Sequence, residues 1–175
     1  LYENNKIYQA IEVGSRVFGI EIFVTRSKTQ KVGVAIYARK PISESLKKAI
    51  KQQVVIRYNL DGDIQGFIKE YKSAGLLAGP IKRWRGMRPS IAYSLYGFLM
   101  VATVLQNATV KRTVQMMDAL LRKYGIKLVF AGKEVYAIWS PEDMEKVHEA
   151  ELRDLRIGYR AKNIKRISNS FATKK

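Results

Sequence analysis

The sequence predicts an α+β fold in which a small antiparallel sheet comes first and a helical part follows. Before residue 60, runs of β-branched and aromatic residues alternate with polar ones, as in strands. From Asp61 onward, apolar residues recur at the 3.6-residue spacing of helices. We therefore expect an antiparallel sheet domain with one helix over residues 1–59 and an all-helical domain over residues 60–175.

The first sixty residues contain strand-like runs and one helical segment. Gly14-Ser15 separates the first two runs, and such a dipeptide favours the short turn of a β-hairpin. Pro41 precedes the helical segment, and Ser43 is placed to cap it. The predicted elements are, in order, strands over 7–13, 16–25 and 32–39, a helix over 43–53 and a strand over 54–58.

The rest of the chain has the periodicity of helices. Gly125 is well placed as a C-cap, and Ser140-Pro141 opens a helix as N-cap and first helical residue. The segment 73–89 is rich in Gly and Pro, so we expect it to be largely loop. Predicted helices cover 61 or 63 to 71, 91–105, 109–124, 140–148, 151–156 and 159 or 160 to 171, and the apolar face of the third is assigned to Val110, Val114, Met117 and Leu121.

The chain is strongly basic. Lys and Arg number 32 and Asp and Glu number 15, which gives a net charge of +17 over 175 residues. Such a surface repels itself unless a polyanion is nearby, so nucleic acid is the first partner to consider. A solvated basic surface without a partner is the alternative. The apolar content of 47% excludes a wholly disordered chain.

Composition also excludes several kinds of site. The chain has no cysteine, which excludes disulfides, thiolate nucleophiles, and zinc or iron–sulfur sites with cysteine ligands. His148 is the single histidine, so we predict no metal site and no cofactor. The most apolar segment, 91–106, is shorter than the ~20 residues of a membrane span, so we expect no membrane partner. The lack of cysteine fits an intracellular protein.

The positive charge is concentrated in two stretches that lack acids. No Asp or Glu lies between Glu70 and Asp118, or from Gly158 to the end of the sequence. Cations in such stretches can form one face that binds phosphates, and the aromatic residues Trp84 and Tyr159 lie among them. We assign DNA contacts from these stretches to Arg88, Lys111, Arg112, Arg160 and Lys162.

Three segments together resemble the helix-hairpin-helix DNA glycosylase superfamily, which includes the 3-methyladenine glycosylases of the AlkA kind and the 8-oxoguanine glycosylases. The first is RGMRPSIAYSLYGFLMVATVLQNATVKRTVQMMDALLRKYG, residues 85–125. The second is WSPEDMEKV, residues 139–147, and the third is LRDLRIGYRAKNI, residues 152–164. Their order and spacing match the family pattern, and the resemblance covers about residues 60–172.

The resemblance implies roles for residues at two turns. Gln106 and Asn107 stand where family members place the polar residue that enters the gap left by an extruded nucleotide. Tyr159 and Arg160 match the aromatic wedge and its basic neighbour, which press on the base stack from the other side. Extrusion costs roughly a few kcal/mol of lost stacking and pairing, so the gap must be filled. Alternatively, Gln106 and Asn107 only separate two helices, and Tyr159 is a half-buried core aromatic.

The resemblance implies that the catalytic residues follow Gly-Tyr-Arg-Ala. In the family a Gly-rich hairpin holds a phosphate there and an Asp follows, and bifunctional members add a Lys nucleophile. This sequence reaches Lys175 with neither the hairpin nor the Asp. We therefore expect an N-terminal portion of a glycosylase, incomplete at its C-terminus, and assign no catalytic residue. Asp118 and Asp154 fit helix-surface positions better.

The function that the resemblance implies is base-excision repair. The intact protein would bind double-stranded DNA, flip out a damaged purine and hydrolyse its N-glycosidic bond, in the cytoplasm with the nucleoid or in the nucleus. The alternative is a non-catalytic DNA-binding module or one half of a split glycosylase. An RNA-associated structural protein is a third class. Whether the base is an alkylated purine or 8-oxoguanine, whether lyase activity is present, and the oligomeric state stay open.

Overall fold

The computed structural model describes residues 1–25, 31–88, 90 and 94–173. The chain divides into two compact units: unit 1 contains residues 1–42 and 93–175, and unit 2 contains residues 43–92. The α+β prediction is confirmed, since an antiparallel sheet comes first and most of the later elements are helices.

A four-stranded antiparallel sheet opens unit 1. Its strands are neighbours in chain order: β1 (Tyr2–Glu3), β2 (Lys6–Val13), β3 (Arg16–Val24) and β4 (Val32–Tyr37). The predicted hairpin is confirmed, with Val13 paired to Arg16 and Gly14 in the turn at φ +62°. Both faces of β2 are buried, since successive side chains point to opposite faces and both Tyr8 and Ile11 are buried.

A second hairpin lies where the sequence predicted no strand. β5 (Ile126–Phe130) and β6 (Lys133–Ala137) pair antiparallel in a two-stranded sheet, so the prediction of an all-helical part after residue 60 is wrong at this point. The hairpin packs on the first sheet, where Phe130 and Val135 form a buried cluster with Tyr8 and Ala10. A Cβ at Gly19 would lie 2.4 Å from Phe130 Cδ1, so this contact requires glycine there.

The turn of this hairpin explains why the hairpin was not predicted from the sequence. Ala131 and Gly132 both have positive φ, 48° and 69°, which is the geometry of the two-residue turns that suit hairpins. Alanine rarely occupies that region, so Ala131-Gly132 lacks the Asn-Gly or Asp-Gly signal of such a turn. Five residues in each strand are also too few for a clear alternation.

The helices of unit 1 share one hydrophobic core. They are α4 (Leu95–Leu105), α5 (Val110–Tyr124), α6 (Pro141–Lys146), α7 (Glu149–Asp154) and α8 (Arg160–Ala172), and their core includes Met100, Val104, Met116, Leu120, Trp139, Leu152, Ile157 and Ile164. Ser140 caps α6 as predicted, with its Oγ accepting from the N–H of Asp143 at 3.1 Å. Within the described ranges, no helix has both the length and the hydropathy of a membrane span.

A buried chain of hydrogen bonds joins three segments of this core. The indole N–H of Trp139 donates to the hydroxyl of Tyr96 at 3.0 Å, and that hydroxyl lies 2.8 Å from Ser168 Oγ. Ser168 in turn donates to the carbonyl of Ile164, also at 2.8 Å. Burial raises the pKa of Tyr96, so its hydroxyl stays protonated and can donate to Ser168. The network fixes α4 against α8 and against the segment that follows β6.

The buried row of α5 differs from the predicted one. Its buried residues are Thr113, Met116 and Leu120, whereas Val110 is 75% exposed. Met117 lies half-buried against the core, so only the second half of the predicted face is packed. Adjacent rows on a helix lie side by side, and spacing alone does not tell which of two apolar rows meets the neighbouring helix.

Unit 2 consists of α1 (Glu44–Arg57), α2 (Ile64–Tyr71) and α3 (Gly75–Arg83). The predicted cap of α1 is confirmed, since Ser43 Oγ accepts from the N–H of Leu46 at 3.3 Å. Of the two predicted starts of the next helix the structure has the second, where an Asp63 carboxylate oxygen accepts from the N–H of Gly66 at 2.8 Å. The predicted strand over 54–58 is wrong, because α1 continues to Arg57. Val54 is buried on that helix, and its burial outweighs the strand preference of β-branched residues.

The Gly- and Pro-rich segment 73–89 is not largely loop. α3 covers nine residues of it and includes Pro80, which has no N–H to donate to the carbonyl of Leu76. The helix tolerates this loss because it is short and has no buried residue, so the freed carbonyl can bind water. The predicted helix over 91–105 is confirmed from Leu95 onward, and residues 91–93 lie outside the described residues.

An ionic hydrogen-bonded cluster lies on the sheet. Lys6 Nζ lies 2.6 Å from a carboxylate oxygen of the buried Glu21, and the Tyr37 hydroxyl donates to the other oxygen at 3.0 Å. The bond from Lys6 lowers the pKa of Glu21, and the bond to Glu21 raises the pKa of Lys6 and of Tyr37. All three groups therefore keep their donor or acceptor roles at neutral pH.

Candidate nucleic-acid interface

The turn between α4 and α5 presents an amide side chain to solvent. Gln106 ends α4, and Asn107 follows in the left-handed region at φ +47°, a conformation that asparagine tolerates better than most residues. Thr109 then caps α5, with its Oγ1 accepting from the N–H of Arg112 at 3.3 Å. Both Gln106 and Asn107 are exposed. The turn therefore holds the Asn107 side chain in a defined and accessible position.

The segment before α8 supplies an exposed phenol. Arg156 and Gly158 have positive φ, 58° and 65°, and between them Ile157 is fully buried in the core. This anchored double bend brings Tyr159 to the surface, where the residue is about half exposed. The sequence pattern Ile157-Gly158 predicted a break between helices here, and that prediction is confirmed.

The two turns meet through their side chains. Asn107 Nδ2 donates to the Tyr159 hydroxyl at 3.4 Å, and that hydroxyl donates to the carbonyl of Gln106, also at 3.4 Å. These residues lie about fifty positions apart in sequence, so the fold brings the predicted polar filler and the predicted aromatic wedge together. An amide and a phenol side by side can hydrogen-bond to base edges and offer a flat ring to a base stack.

Arg160 is buried beneath this pair. Its residue is 8% exposed, and its guanidinium donates to the carbonyl of Gln106 and, at 3.3 Å, to that of Ile157. The guanidinium carbon also lies 4.8 Å from the centre of the Tyr159 ring. Among the described residues, Arg160 Nε has no hydrogen-bond partner. The side chain predicted to contact DNA is thus occupied in holding the two turns together.

Three further cations lie within five residues of the pair along the chain. Arg112 donates to the carbonyl of Arg156 at 2.5 Å, which makes a second link between the turns, and the residue is exposed. Lys111 and Lys162 are exposed at the starts of α5 and α8. A protein that contacts the phosphates on both sides of a base needs cations around the polar and aromatic groups that meet the base.

Arg88, also predicted to bind DNA, belongs to unit 2. Its guanidinium donates to the carbonyls of Asn59 and Gly62 at 2.5 and 2.8 Å, and the residue is only half-buried. Arg88 therefore anchors the segment that follows α3 onto the turn between α1 and α2. Sequence reasoning identified the cation and missed this partner, because a carbonyl acceptor has no signature in the sequence.

The two acids that the sequence placed on helix surfaces are found there. Asp118 is exposed on α5 and lies 2.8 Å from Arg122 Nε, one helical turn later. Asp154 is exposed at the end of α7. Neither environment is the buried, water-excluded one that a carboxylate needs to stabilise charge on a sugar.

Comparisons with solved structures identify the fold. A 3-methyladenine DNA glycosylase from Archaeoglobus fulgidus aligns with a TM-score of 0.81 and 15% identity over 95% of this chain and 56% of its own. An 8-oxoguanine glycosylase/lyase from Clostridium acetobutylicum, solved with double-stranded DNA containing cytosine opposite 8-oxoguanine, aligns with a TM-score of 0.70 and 20% identity over 98% of this chain and 53% of its own.

The apo form of the same Clostridium acetobutylicum glycosylase gives the same TM-score of 0.70 and 20% identity. The chain thus has the fold of a DNA glycosylase and spans about half the length of the solved structures it matches. No protein-family model matches the chain, and a sequence comparison with curated proteins finds no match.

Proposed function

We propose that this chain, which has the fold of part of a DNA glycosylase, is the DNA-docking portion of a base-excision-repair glycosylase. It would bind double-stranded DNA at a damaged purine and hold the site open while the base is removed. This role would place the protein with the cell's DNA, in the nucleoid or the nucleus. The proposal assigns none of the 175 residues to cleavage of the N-glycosidic bond.

The observation that carries the proposal is the contact between Asn107 and Tyr159. A base in a duplex is hidden by stacking and pairing, and taking it out costs roughly a few kcal/mol. A protein recovers part of this cost by filling the vacated space with groups that stack and hydrogen-bond. Asn107 and Tyr159 supply one group of each kind, both exposed and hydrogen-bonded to each other at 3.4 Å.

The charges around this pair support duplex DNA as the partner. Lys111, Arg112 and Lys162 are exposed beside it, and the sequence has no acid between Glu70 and Asp118 or after Asp154. Phosphate neutralisation supplies most of the sequence-independent affinity of such surfaces. The base itself would be one of the two classes that the matched glycosylases are named for, an alkylated purine or 8-oxoguanine.

The test is the affinity for a duplex with one abasic site compared with the same duplex intact, measured by fluorescence anisotropy. We expect the wild-type chain to prefer the abasic duplex. We expect Asn107→Ala to lower affinity for the abasic duplex about tenfold, equivalent to ~1.4 kcal/mol, and to leave the intact duplex nearly unchanged. Equal losses on both duplexes would contradict the gap-filling role.

Two matched variants separate the side chain from the backbone. Asn107→Gly removes the amide but keeps φ +47° accessible, so it should lose the abasic preference without straining the turn. Asn169→Ala removes an exposed amide ten residues beyond Tyr159, on the same helix α8, and should change neither affinity. If Asn107→Gly binds the abasic duplex like wild type, the amide does not fill the gap.

A non-catalytic DNA-binding module, or one half of a split glycosylase, is the second candidate. The exposed positions of Asp118 and Asp154 favour it, because neither carboxylate is placed for chemistry. Both candidates predict that the purified chain binds duplexes with 3-methyladenine or 8-oxoguanine and releases neither base, so release of one base by this chain would contradict both. The same incubation with the protein purified from its native source separates them: release of one base supports the glycosylase, and binding without release supports the module.

A further inference from the structure

Unit 2 contains an exposed tryptophan that the proposed function does not use. Trp84 follows α3 and is 53% exposed, and Arg83 lies with its guanidinium carbon 5.5 Å from the centre of the indole ring. Residues 84–88, here called the Trp84 turn, close with a hydrogen bond from the N–H of Met87 to the carbonyl of Trp84 at 2.9 Å. Gly86 takes φ +87° within it, a conformation that favours glycine.

The Trp84 turn is anchored at both ends. The N–H of Trp84 donates to the carbonyl of Pro80 at 2.8 Å, which ties the turn to the last turn of α3. Arg88, at the other end, donates to the carbonyls of Asn59 and Gly62. The indole is therefore presented to solvent by a fixed backbone, and little conformational entropy would be lost when a ligand contacts it.

The charges beside the indole favour a polyanion. Lys82, Arg83 and Arg85 are all exposed within three residues of Trp84, and the nearest acids in sequence are Glu70 and Asp118. Lys82 and Arg83 also stabilise the C-terminal end of the helix, but Arg85 lies beyond that end and has no such role. An aromatic ring flanked by exposed cations is the arrangement on which single-stranded nucleic acid binds, with a base stacked on the ring.

We propose that the Trp84 turn is a second nucleic-acid surface, on which an unpaired base of single-stranded DNA stacks against the indole while neighbouring cations contact its phosphates. This site goes beyond the proposed function, because Trp84 belongs to unit 2 and the Asn107–Tyr159 pair to unit 1. Exposed apolar residues on the same unit, among them Leu76 and Met87, make an apolar protein partner the competing occupant, and the test includes it.

The two tryptophans of the chain allow a direct test. Trp139 is 2% exposed and bonded to Tyr96, so it serves as a buried internal reference for the exposed Trp84. Titration with a thymidine oligonucleotide of about ten nucleotides should quench the Trp84 emission, because a stacked base accepts an electron from the excited indole. Binding that saturates by anisotropy of a labelled oligonucleotide, with the tryptophan emission unchanged, would overturn the proposal.

Variants of the Trp84 turn measure the contribution of stacking. Trp84→Ala should weaken binding of the oligonucleotide about 5- to 150-fold, the range for loss of one stacked base, and Trp84→Phe should retain most of the affinity. Met87→Ala removes an even more exposed side chain without a π-face from the same turn and should bind like wild type. Thermal melts followed by circular dichroism check that each variant is folded.

The outcomes separate this site from the gap-filling one. Trp84→Ala should keep the preference for an abasic duplex over an intact one, and Asn107→Gly should keep the affinity for the oligonucleotide. Wild-type oligonucleotide affinity in Trp84→Ala would reject base stacking. If that variant instead loses only a concentration-dependent self-association seen by sedimentation, the exposed indole is a protein contact and the proposal is wrong.

Discussion

Two turns in this protein are held by an arginine, and they differ in what the arginine leaves exposed. Arg160 lies beneath the α4–α5 turn and holds the carbonyl of Gln106 from a distant part of the chain. Arg88 lies at the end of the Trp84 turn and holds carbonyls of a neighbouring helix connection. Arg160 supports the turn that carries the Asn107 amide, and Arg88 supports the turn that carries the exposed Trp84 ring.

The basic residues of the two turns have different roles. In both turns the arginine with two hydrogen bonds to backbone carbonyls is less accessible than the cations beside it. The guanidinium group suits this task because it presents several donors in a fixed plane. In this basic sequence Arg88 and Arg160 thus hold backbone segments in place, whereas the more exposed cations beside them are accessible to a ligand.

The largest effect is expected from Arg160→Ala. It removes the guanidinium donor from the carbonyl of the buried Ile157 and from that of Gln106, which keeps the 3.4 Å bond from Tyr159, so the free energy of unfolding should fall by about 3 kcal/mol. The preference for an abasic duplex should disappear, while the affinity for the thymidine oligonucleotide stays. Urea denaturation and anisotropy measure the two quantities.

Arg153→Ala is the matched control for that experiment. Arg153 is exposed and pairs with Glu149 at 2.6 Å, a surface ion pair that contributes about 0–1 kcal/mol. Its removal should hardly change stability or abasic preference. If Arg160→Ala behaves like this control, Arg160 does not hold the turns together.

Arg88→Ala should weaken oligonucleotide binding instead of the abasic preference, with a smaller loss of stability than Arg160→Ala. Arg88 is only half-buried, so water can replace its two bonds in part and the loss of stability should be about 1–2 kcal/mol. Oligonucleotide affinity should fall because the Trp84 turn loses one anchor, and the abasic preference should remain. A loss of abasic preference in this variant would mean that the two turns are not independent.

The smallest effect is expected from the exposed cations. Lys111→Ala should lower affinity for intact and abasic duplexes alike, and should reduce the slope of log affinity against log salt by about 1. Lys146, which is exposed but lies 3.7 Å from Asp143, is the control and should leave the slope unchanged when replaced by Ala. An unchanged slope in Lys111→Ala would remove that lysine from the phosphate contacts.

The sequence predicted the elements that have strong local signals. Gly14, Ser43, Asp63 and Ser140 are turn or cap residues whose chemistry acts within four positions, and each was found in its predicted role. The failures involve distant contacts. The burial of Val54 kept α1 helical beyond its predicted end, and the β5–β6 hairpin depends on packing against a sheet more than a hundred residues earlier.

The sequence predicted which residues form the candidate site better than it predicted the contacts between them. Gln106, Asn107 and Tyr159 were placed on the two turns by resemblance, and the structure brings those turns together. The sequence did not predict that Arg160 points inward while Lys162, two residues later, points outward. Periodicity gives the angle between two side chains on a helix, but the direction of the core is set by the neighbouring elements.

Gln106 and Arg160 lie 54 positions apart, so the ribosome makes the α4–α5 turn well before the arginine that holds it. At ribosomal rates of roughly 5–20 residues per second, the α4–α5 turn is made about 3–10 s before the arginine that locks it. Helices form in about a microsecond, so α4 and α5 lack the hydrogen bond from Arg160 for nearly all of that time. The ordered turn is thus a late product of translation, and a ribosome stalled before the codon of Arg160 would hold both helical segments without the arginine that joins the two turns.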